Sequence, residues 1–360
     1  MQVFDNRIYF GHGNSSNNYP STNAGPIPLV YYDPKAGQFV TQSGMFGATP
    51  KTSLDDEQID LIKVFNGKLV VPGHDSRAPD GFDQGNWYDL ASGAATWTKH
   101  RNISLAIHTF DMAYFNGRMF AAVSRSVPWT EGDWTTSGVE VMMSADNGST
   151  WTKLGTIQND SYINRCYTFF ELGGFLYATQ EYYSPLWDNN AFIARIDSGF
   201  TFTQVAINTS NLFPSVSFDA NDPDMKIYKP VNFLGKAVYL AGFTYNDQQM
   251  LPKAIVALDS LTSSFKVTLP SAAAIPMDLL LRGNDLYALA YIREGLARYK
   301  IIVYKTSDLI NWAEVVSFYH ETFARSFEEL NGDLYLGLGC NTEYLPGSTG
   351  TILRVKNAVK

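Results

Sequence analysis

A tight-turn signal recurs seven times along this 360-residue chain, and it limits the fold more than any other feature. It stands at Asp5-Asn6, Asn66-Gly67, Asn116-Gly117, Gly173-Gly174, Leu234-Gly235, Gly283-Asn284 and Asn331-Gly332. Asn-Gly between apolar runs favours a two-residue β-hairpin, because both central residues can take positive φ. A similar short strand follows every turn: Arg7-Ile-Tyr-Phe, Lys68-Leu-Val-Val, Arg118-Met-Phe-Ala, Phe175-Leu-Tyr-Ala, Lys236-Ala-Val-Tyr-Leu, Asp285-Leu-Tyr-Ala-Leu and Asp333-Leu-Tyr-Leu-Gly. Successive turns are 48 to 61 residues apart, which is room for one four-stranded sheet per unit.

With the strands of a unit called A to D, the recurring turn joins A to B. Strand C follows a longer loop, most plainly at Pro28-Leu-Val-Tyr-Tyr, Gly138-Val-Glu-Val-Met, Ala191-Phe-Ile-Ala-Arg, Lys253-Ala-Ile-Val-Ala and Lys300-Ile-Ile-Val-Tyr. Strand D opens on an aromatic after a short polar turn, at Phe39, Trp97, Trp151, Phe202, Phe265 and Trp312. No 12-residue stretch carries a helical apolar period. The expectation is an all-β, seven-bladed β-propeller of four-stranded antiparallel blades, whose repeats shield one another's edges. The seventh unit has Thr351-Ile-Leu-Arg-Val as strand C and no evident strand D, so the last blade is expected to lack its outer strand. Residues 1–360 then form one domain, with blades near 1–43, 59–104, 107–157, 165–208, 226–270, 276–319 and 322–357.

The third C–D turn reads Ser144-Ala-Asp146-Asn-Gly148-Ser-Thr150-Trp151. It resembles the Asp-box, Ser-x-Asp-x-Gly-x-Thr-Trp, of sialidase-like propellers (bacterial neuraminidase repeats). Asp146 is placed to accept N–H bonds inside the turn, Gly148 supplies an unusual backbone angle and Trp151 packs between sheets. A partial copy follows at Asp197-Ser-Gly199-Phe-Thr201-Phe202, with echoes pairing Asp308 with Trp312, Asp259 with Phe265 and Asp33 with Phe39. The resemblance implies the propeller fold across most of the chain, and a structural turn on the face away from the usual ligand side. Catalytic sialidases also carry an Arg-Ile-Pro near the start, a carboxylate-binding arginine triad, an aspartate acid and a Tyr–Glu nucleophile pair. This chain has no Arg-Ile-Pro, and its nearest string, Arg195-Ile196-Asp197, belongs to the partial Asp-box. No catalytic position is carried over.

The A–B and C–D turns are short, whereas the B–C loops (12–28, 72–85, 124–138, 180–190, 243–252, 291–298 and 339–350) are long and varied. Propeller topology gathers those loops on one face, where recognition usually resides. They carry Trp129, Trp134, Tyr182, Tyr183, Trp187, Tyr245, Tyr291 and Tyr344 beside Glu131, Asp133, Glu181, Asp188, Asp247, Glu294 and Glu343. Aromatic faces beside carboxylates suit sugars, whose C–H faces stack while hydroxyls find polar partners. The same aromatics would also give long loops a small core of their own. Trp129, Trp134, Tyr182, Tyr183, Trp187, Tyr245, Tyr291 and His74 are the ligand-binding candidates.

Strand A lies nearest the propeller axis and opens with Asp60, His108 with Asp111, Arg165, Asp278 and Arg325 in successive blades. Mixed carboxylates and arginines there could bind an anionic sugar or perform acid–base work, which makes Asp60, Asp111, Asp278, Arg165 and Arg325 the catalytic candidates. They could equally pair with one another and plug a wet channel.

All five histidines (His12, His74, His100, His108 and His320) map to strand ends or linkers facing the loop rim, without ligand spacing. The 219–224 segment has acidic residues but neither the glycine nor the distal Glu of a calcium loop. Cys166 and Cys340 read as free core thiols. No metal and no cofactor are expected.

A net charge of −8 argues against a nucleic-acid binder working through a basic surface, and no apolar run reaches the length of a membrane span. The segment from Met1 to Phe10 has no secretory-signal pattern and reads as a strand entering a turn. Low charge and abundant Asn, Ser, Thr and Tyr fit an exposed setting, extracellular or on a cell envelope or virion, better than the cytoplasm. The leading expectation is a non-catalytic recognition or scaffold propeller binding a glycan or a protein partner through its B–C face. The alternative is a sialidase-like glycoside hydrolase acting at the channel mouth.

Overall fold

Five of the seven recurrent turns adopt the doubly positive φ that their residues favour. Asp5 and Asn6, Asn66 and Gly67, Asn116 and Gly117, Gly173 and Gly174, and Asn331 and Gly332 all have positive φ at both positions. Such turns match the right-handed twist of the strands they join. Leu234, at φ +55° and exposed, is the one side chain in the set poorly suited to that region. The computed structural model describes residues 1–11, 27–46, 49–59, 61–76, 84–104, 106–125, 139–157, 166–182, 191–216, 225–245, 249–340 and 346–359.

The hairpins build seven antiparallel units. Blade 1 runs Gln2–Phe4, Arg7–Tyr9, Val30–Asp33 and Gln38–Thr41. Blades 4, 5 and 6 are four-stranded in chain order, from Cys166–Leu172 to Phe202–Ile207, Met225–Phe233 to Ser263–Val267, and Ile275–Arg282 to Ala313–His320. Among the described residues blade 7 has three strands, Ala324–Leu330, Asp333–Leu338 and Ile352–Val355, as its sequence predicts.

Blades 2 and 3 keep the four-stranded core but are extended by a connection that the repeat pattern does not reveal. After blade 1, Ser43–Phe46 pairs parallel with Thr96–Ser104, the outer strand of blade 2, and Thr49–Lys51 adds beyond it. Ser53–Leu54 pairs with Ile27–Pro28, and Asp56–Gln58 pairs with His74–Ser76, which in turn meets the inner strand of blade 3 where His74 faces His108. Gln42 anchors this strap: its side chain accepts a bond from Trp97 Nε1 at 3.0 Å and its amide donates to Leu29.

The core is a ring of seven apolar clusters, one between each pair of adjacent blades. The cluster closing the ring, Ile8, Leu330 and Tyr335 with Met1, Val3, Phe10, Tyr32 and Ile352 around it, is the smallest. On the short-turn face, polar latches run from one blade's A–B turn to the next blade's C–D turn. Asp5 accepts from Ser92 Oγ and Gly93 N at 2.8 and 2.7 Å, and Asn66 donates to Asn147 at 3.1 Å.

The Ser144–Trp151 turn is the most elaborate of these contacts. Asp146 accepts from Thr150 N at 2.8 Å and Thr150 Oγ1 at 2.7 Å, and these bonds hold its carboxyl down at about 2. Asn102 of blade 2 donates to the carbonyls of Gly148 and Ser149. Gly148 has φ +86°, and a Cβ there would lie 2.4 Å from Cζ2 of Trp87. Asp197 caps its turn similarly through Gly199 N and Thr201 N, as Asp308 does through Ile310 N and Asn311 N and Asp33 through Lys35 N and Ala36 N. Asp259 instead pairs with Lys236. Both backbone strain and collision with Trp87 oppose a side chain at 148. Gly148→Ala is therefore expected to lower unfolding free energy by about 2–4 kcal/mol in urea titrations.

The strap carries a buried carboxylate. Asp56 is fully buried, accepts from Tyr88 Oη and from Asn86 Nδ2 at 3.2 Å, and finds no partner for Oδ1 among the described residues. Burial is the largest influence and raises its pKa from 3.8 to about 6. A carboxyl with a raised native pKa is harmless to stability below its unfolded value and opposes folding increasingly as pH climbs toward its native one. The melting-temperature difference between Asp56→Asn and the wild type should thus move in favour of Asn by roughly 2 °C or more from pH 4.5 to 7.5. A difference independent of pH would show that Asp56 does not titrate there.

Candidate functional site at the channel mouth

The inner strands of blades 3, 4 and 5 open at the loop face, and each brings its first aromatic or charged residues to the axis. His74, at the end of blade 2's second strand, lies opposite His108 in register. Their rings are 4.9 Å apart, and Phe110 sits 4.9 Å from each. Phe110 stacks on Tyr167 at 5.0 Å, and Tyr167 meets Tyr228 edge-on at 6.0 Å. The Lys226 ammonium lies 4.3 Å over the Tyr167 ring and pairs with Glu181 at 2.6 Å, both side chains only 4% exposed. Phe110 and Tyr228 are buried, whereas His108 and Tyr167 are partly open. The result is a mostly buried aromatic cluster whose partly open members are His108 and Tyr167, bordered by a buried ion pair.

A second aromatic group lies at blades 6 and 7. Tyr291 stacks on Phe323 at 4.6 Å and meets Tyr299 edge-on at 5.6 Å. Arg325 lies 5.5 Å over the Phe323 ring and donates to the Cys340 carbonyl at 3.1 Å, and burial lowers its pKa. Above them Tyr319 is 50% exposed, donates to Glu294 at 3.0 Å and has Arg298 4.1 Å from its ring centroid.

Asp111 and Asp278 are fully engaged by backbone and cation. Both lie at bulges in an inner strand, where the register with the second strand shifts. Asp111 accepts from its own neighbour Met112 N at 2.7 Å and from Phe169 N of the next blade at 2.8 Å, with Lys63 at 2.5 Å. Asp278 accepts in the same way from Leu279 N and from Phe327 N of the next blade, at 2.9 and 3.2 Å, with Lys229 at 3.7 Å. Thr168 ties blade 4 to blade 5 by donating to the Ile227 carbonyl at 2.9 Å. These side chains staple neighbouring inner strands together. Burial is the largest influence on Asp111 and pushes its pKa up, against Lys63 and the two N–H donors.

Tyr182 is buried, its hydroxyl donating to Phe192 at 3.3 Å and its backbone bridging to Met225. Tyr291 is buried against Phe323, and Tyr245 ends a strand of blade 5. His74 is buried against His108 and Phe110; His100 instead stacks on Trp87 at 3.8 Å and bonds Asp89. His320 accepts from Thr322 N at 3.2 Å. Asp60, Arg165, Trp129, Trp134, Tyr183, Trp187, His12 and the 219–224 segment lie outside the described residues. Among the described residues, no cluster of three or more His, Cys, Asp or Glu could hold a metal, and no helix is long and apolar enough to cross a membrane.

Sequence reasoning named Glu181 but missed Phe110, Tyr167 and Lys226, because a charged or aromatic strand start has no distinctive spacing. Their signal was positional: each inner-strand residue lies a few residues before or at a register shift shared by blades 3 to 7.

No known protein family matches the sequence, and no curated protein does. Similar solved structures include a prolyl endopeptidase, at TM-score 0.52 and 10% identity, covering 94% of this chain and 45% of that one. The likeness is one of fold. An exo-β-1,3-galactanase from Phanerochaete chrysosporium matches at TM-score 0.41 and 14% identity, over 96% of this chain and 70% of that one. A sialidase from Trypanosoma rangeli matches at 0.38 and 15%, over 68% and 46%. The chain thus spans less than half the length of the endopeptidase and of the sialidase.

An amide in place of either stapling carboxylate would turn an N–H toward backbone N–H donors. Asp111→Asn and Asp278→Asn are each expected to lower stability by about 2–4 kcal/mol in urea unfolding. Full retention of stability in both variants would rule out the stapling role.

Proposed function

We propose that this propeller recognises a glycan at the channel mouth and does so without catalysis. The observation that carries the reading is the ring series His74, His108, Phe110 and Tyr167, bordered by the Lys226–Glu181 pair. A sugar presents apolar C–H faces and a rim of hydroxyls. Partly open Tyr167 and His108 offer apolar ring edges beside a hydroxyl and ring nitrogens, the combination that binding sites of mixed polarity use. The exposed Tyr319, held by Glu294 and Arg298, offers a second platform on the same rim.

The hydrolase alternative would need carboxylates free to exchange protons with a substrate. Asp111 and Asp278 spend their oxygens on backbone amides and lysines, and Glu181 lies against Lys226, which favours recognition over hydrolysis. An exposed setting, extracellular or on an envelope or virion, accords with this reading.

A glycan array probed with the intact protein should return saturable hits. Tyr167→Ala and His108→Ala should each weaken the strongest of them by about tenfold, as loss of a stacking or bonding face implies, while melting temperature stays near that of the wild type. An array with no hits, or hits indifferent to both substitutions, would sink the proposal. Turnover of a chromogenic glycoside panel would replace recognition with hydrolysis.

A further inference from the structure

The strap between blades 1 and 2 joins the outer rim to the channel mouth. Ser43–Phe46 pairs with the outer strand of blade 2 at Thr96, Trp97 and Thr98. Asp56–Gln58, at the other end of the strap, pairs with His74–Ser76, where His74 meets His108.

Two adjacent carboxylates seat the strap on blade 2, in opposite surroundings. Asp55 pairs with Lys51 at 2.5 Å and with Lys99 at 2.8 Å, and its amide donates to Tyr88 Oη at 3.2 Å. Burial works to raise its pKa, but the two lysines prevail and hold it down. Asp56 is fully buried and bonded by neutral donors, Tyr88 Oη and Asn86 Nδ2. The groups that act on its charge are Tyr88 and Asn86 from Gln84–Ala91, Lys99 from the outer strand and Asp55 from the strap.

The Asp56 carboxyl also lies against Gly73, where a Cβ would come within 2.8 Å of its Oδ1. Gly73 N donates to the Asn86 carbonyl at 3.0 Å, and the Gly73 carbonyl accepts from Thr109 N at 2.9 Å. That backbone therefore ties blade 2 to the inner strand of blade 3. Gly73 immediately precedes His74, and Thr109 immediately follows His108. The carboxyl is thus packed into the joint that sets the two imidazoles together.

We propose that Asp56 is a proton switch in this joint: protonation seats the strap and the His74–His108 contact, and ionisation loosens both. As a means of regulating the mouth, this rests on the reading of the mouth as the recognition surface. An ionised carboxylate costs more to bury than the neutral acid. Burial raises the Asp56 pKa to about 6 in the seated form, so an opened strap, with the carboxyl in water, holds fewer protons. Opening is accordingly favoured as pH rises from the ordinary carboxylate value through about 6. Asp55 carries the opposite sign, because its lysine pairs hold above the ordinary carboxylate value and are lost only in acid.

The test is amide hydrogen exchange on the intact protein without any glycan, corrected for the intrinsic effect of pH. From pH 4.5 to 7.5, protection of Ser43–Phe46 and Asp56–Gln58 should fall about tenfold or more relative to Arg298–Thr306 in blade 6. Thr109 N, which bonds the Gly73 carbonyl, should fall with them. In Asp56→Asn the ratio should stay level across the same range. Tyr88→Phe removes a donor that favours the ionised carboxyl, so it should deepen the fall and carry it to higher pH. That variant keeps the test decisive if the amide variant fails to fold. The proposal is overturned if strap protection is indifferent to pH in the wild type, if the fall persists undiminished in Asp56→Asn, or if Tyr88→Phe leaves it unchanged. A fall in the strap that spares Thr109 would overturn the coupling to the mouth. Since no ligand is present, failure here is distinct from failure of glycan recognition, which the array reads separately.

Discussion

Burial of one sheet against the next is the interaction on which this molecule depends. A lone four-stranded blade hides neither of its faces, and an isolated sheet of that size is marginal in water. Here the apolar side chains form seven clusters, each shared between two blades, so no blade owns its core. The ring arrangement makes the closing interface obligatory, although its cluster is the smallest.

Polar groups refine that packing at both ends of the blades. On the short-turn face, Asp5 and Asn102 bond backbone groups of the next blade, and Asn66 bonds the side chain of Asn147. Along the axis, Asp111, Thr168 and Asp278 reach from the inner strand of one blade to that of its neighbour. A buried carboxylate is tolerated only when bonded, and the bulges on the inner strands turn these side chains toward their partners. The channel is thereby consolidated by groups whose types alone would suggest acid–base chemistry.

Much of this was legible in the primary structure. The seven turns, with Asn66-Gly67 the plainest, announced the hairpins because positive φ is a local demand that few residues meet. The same locality let Asp146 and Asp197 reveal their turns, since each bonds amides within four residues. Strand C of the last blade, Thr351-Ile-Leu-Arg-Val, was legible from its own apolar alternation. The strap at residues 43–58 was not, because its pairs join segments with no turn between them, and Ser43–Phe46 runs parallel to a strand more than fifty residues away. Nor were the roles of Asp111 and Tyr182, which depend on amides and carbonyls that only the fold brings near.

Local chemistry therefore determined the hairpins, their number and the spacing of the blades, because turn conformation and alternation are decided within a few residues. The tertiary structure decided which side chains share a space. It set His74 beside His108, laid Lys226 over Tyr167, buried Asp56 within the strap and left Phe39 half exposed beside Tyr32. Those outcomes depend on radial packing between segments distant in the chain, where distance and burial, rather than residue type, determine what a carboxylate, an imidazole or an aromatic ring can do.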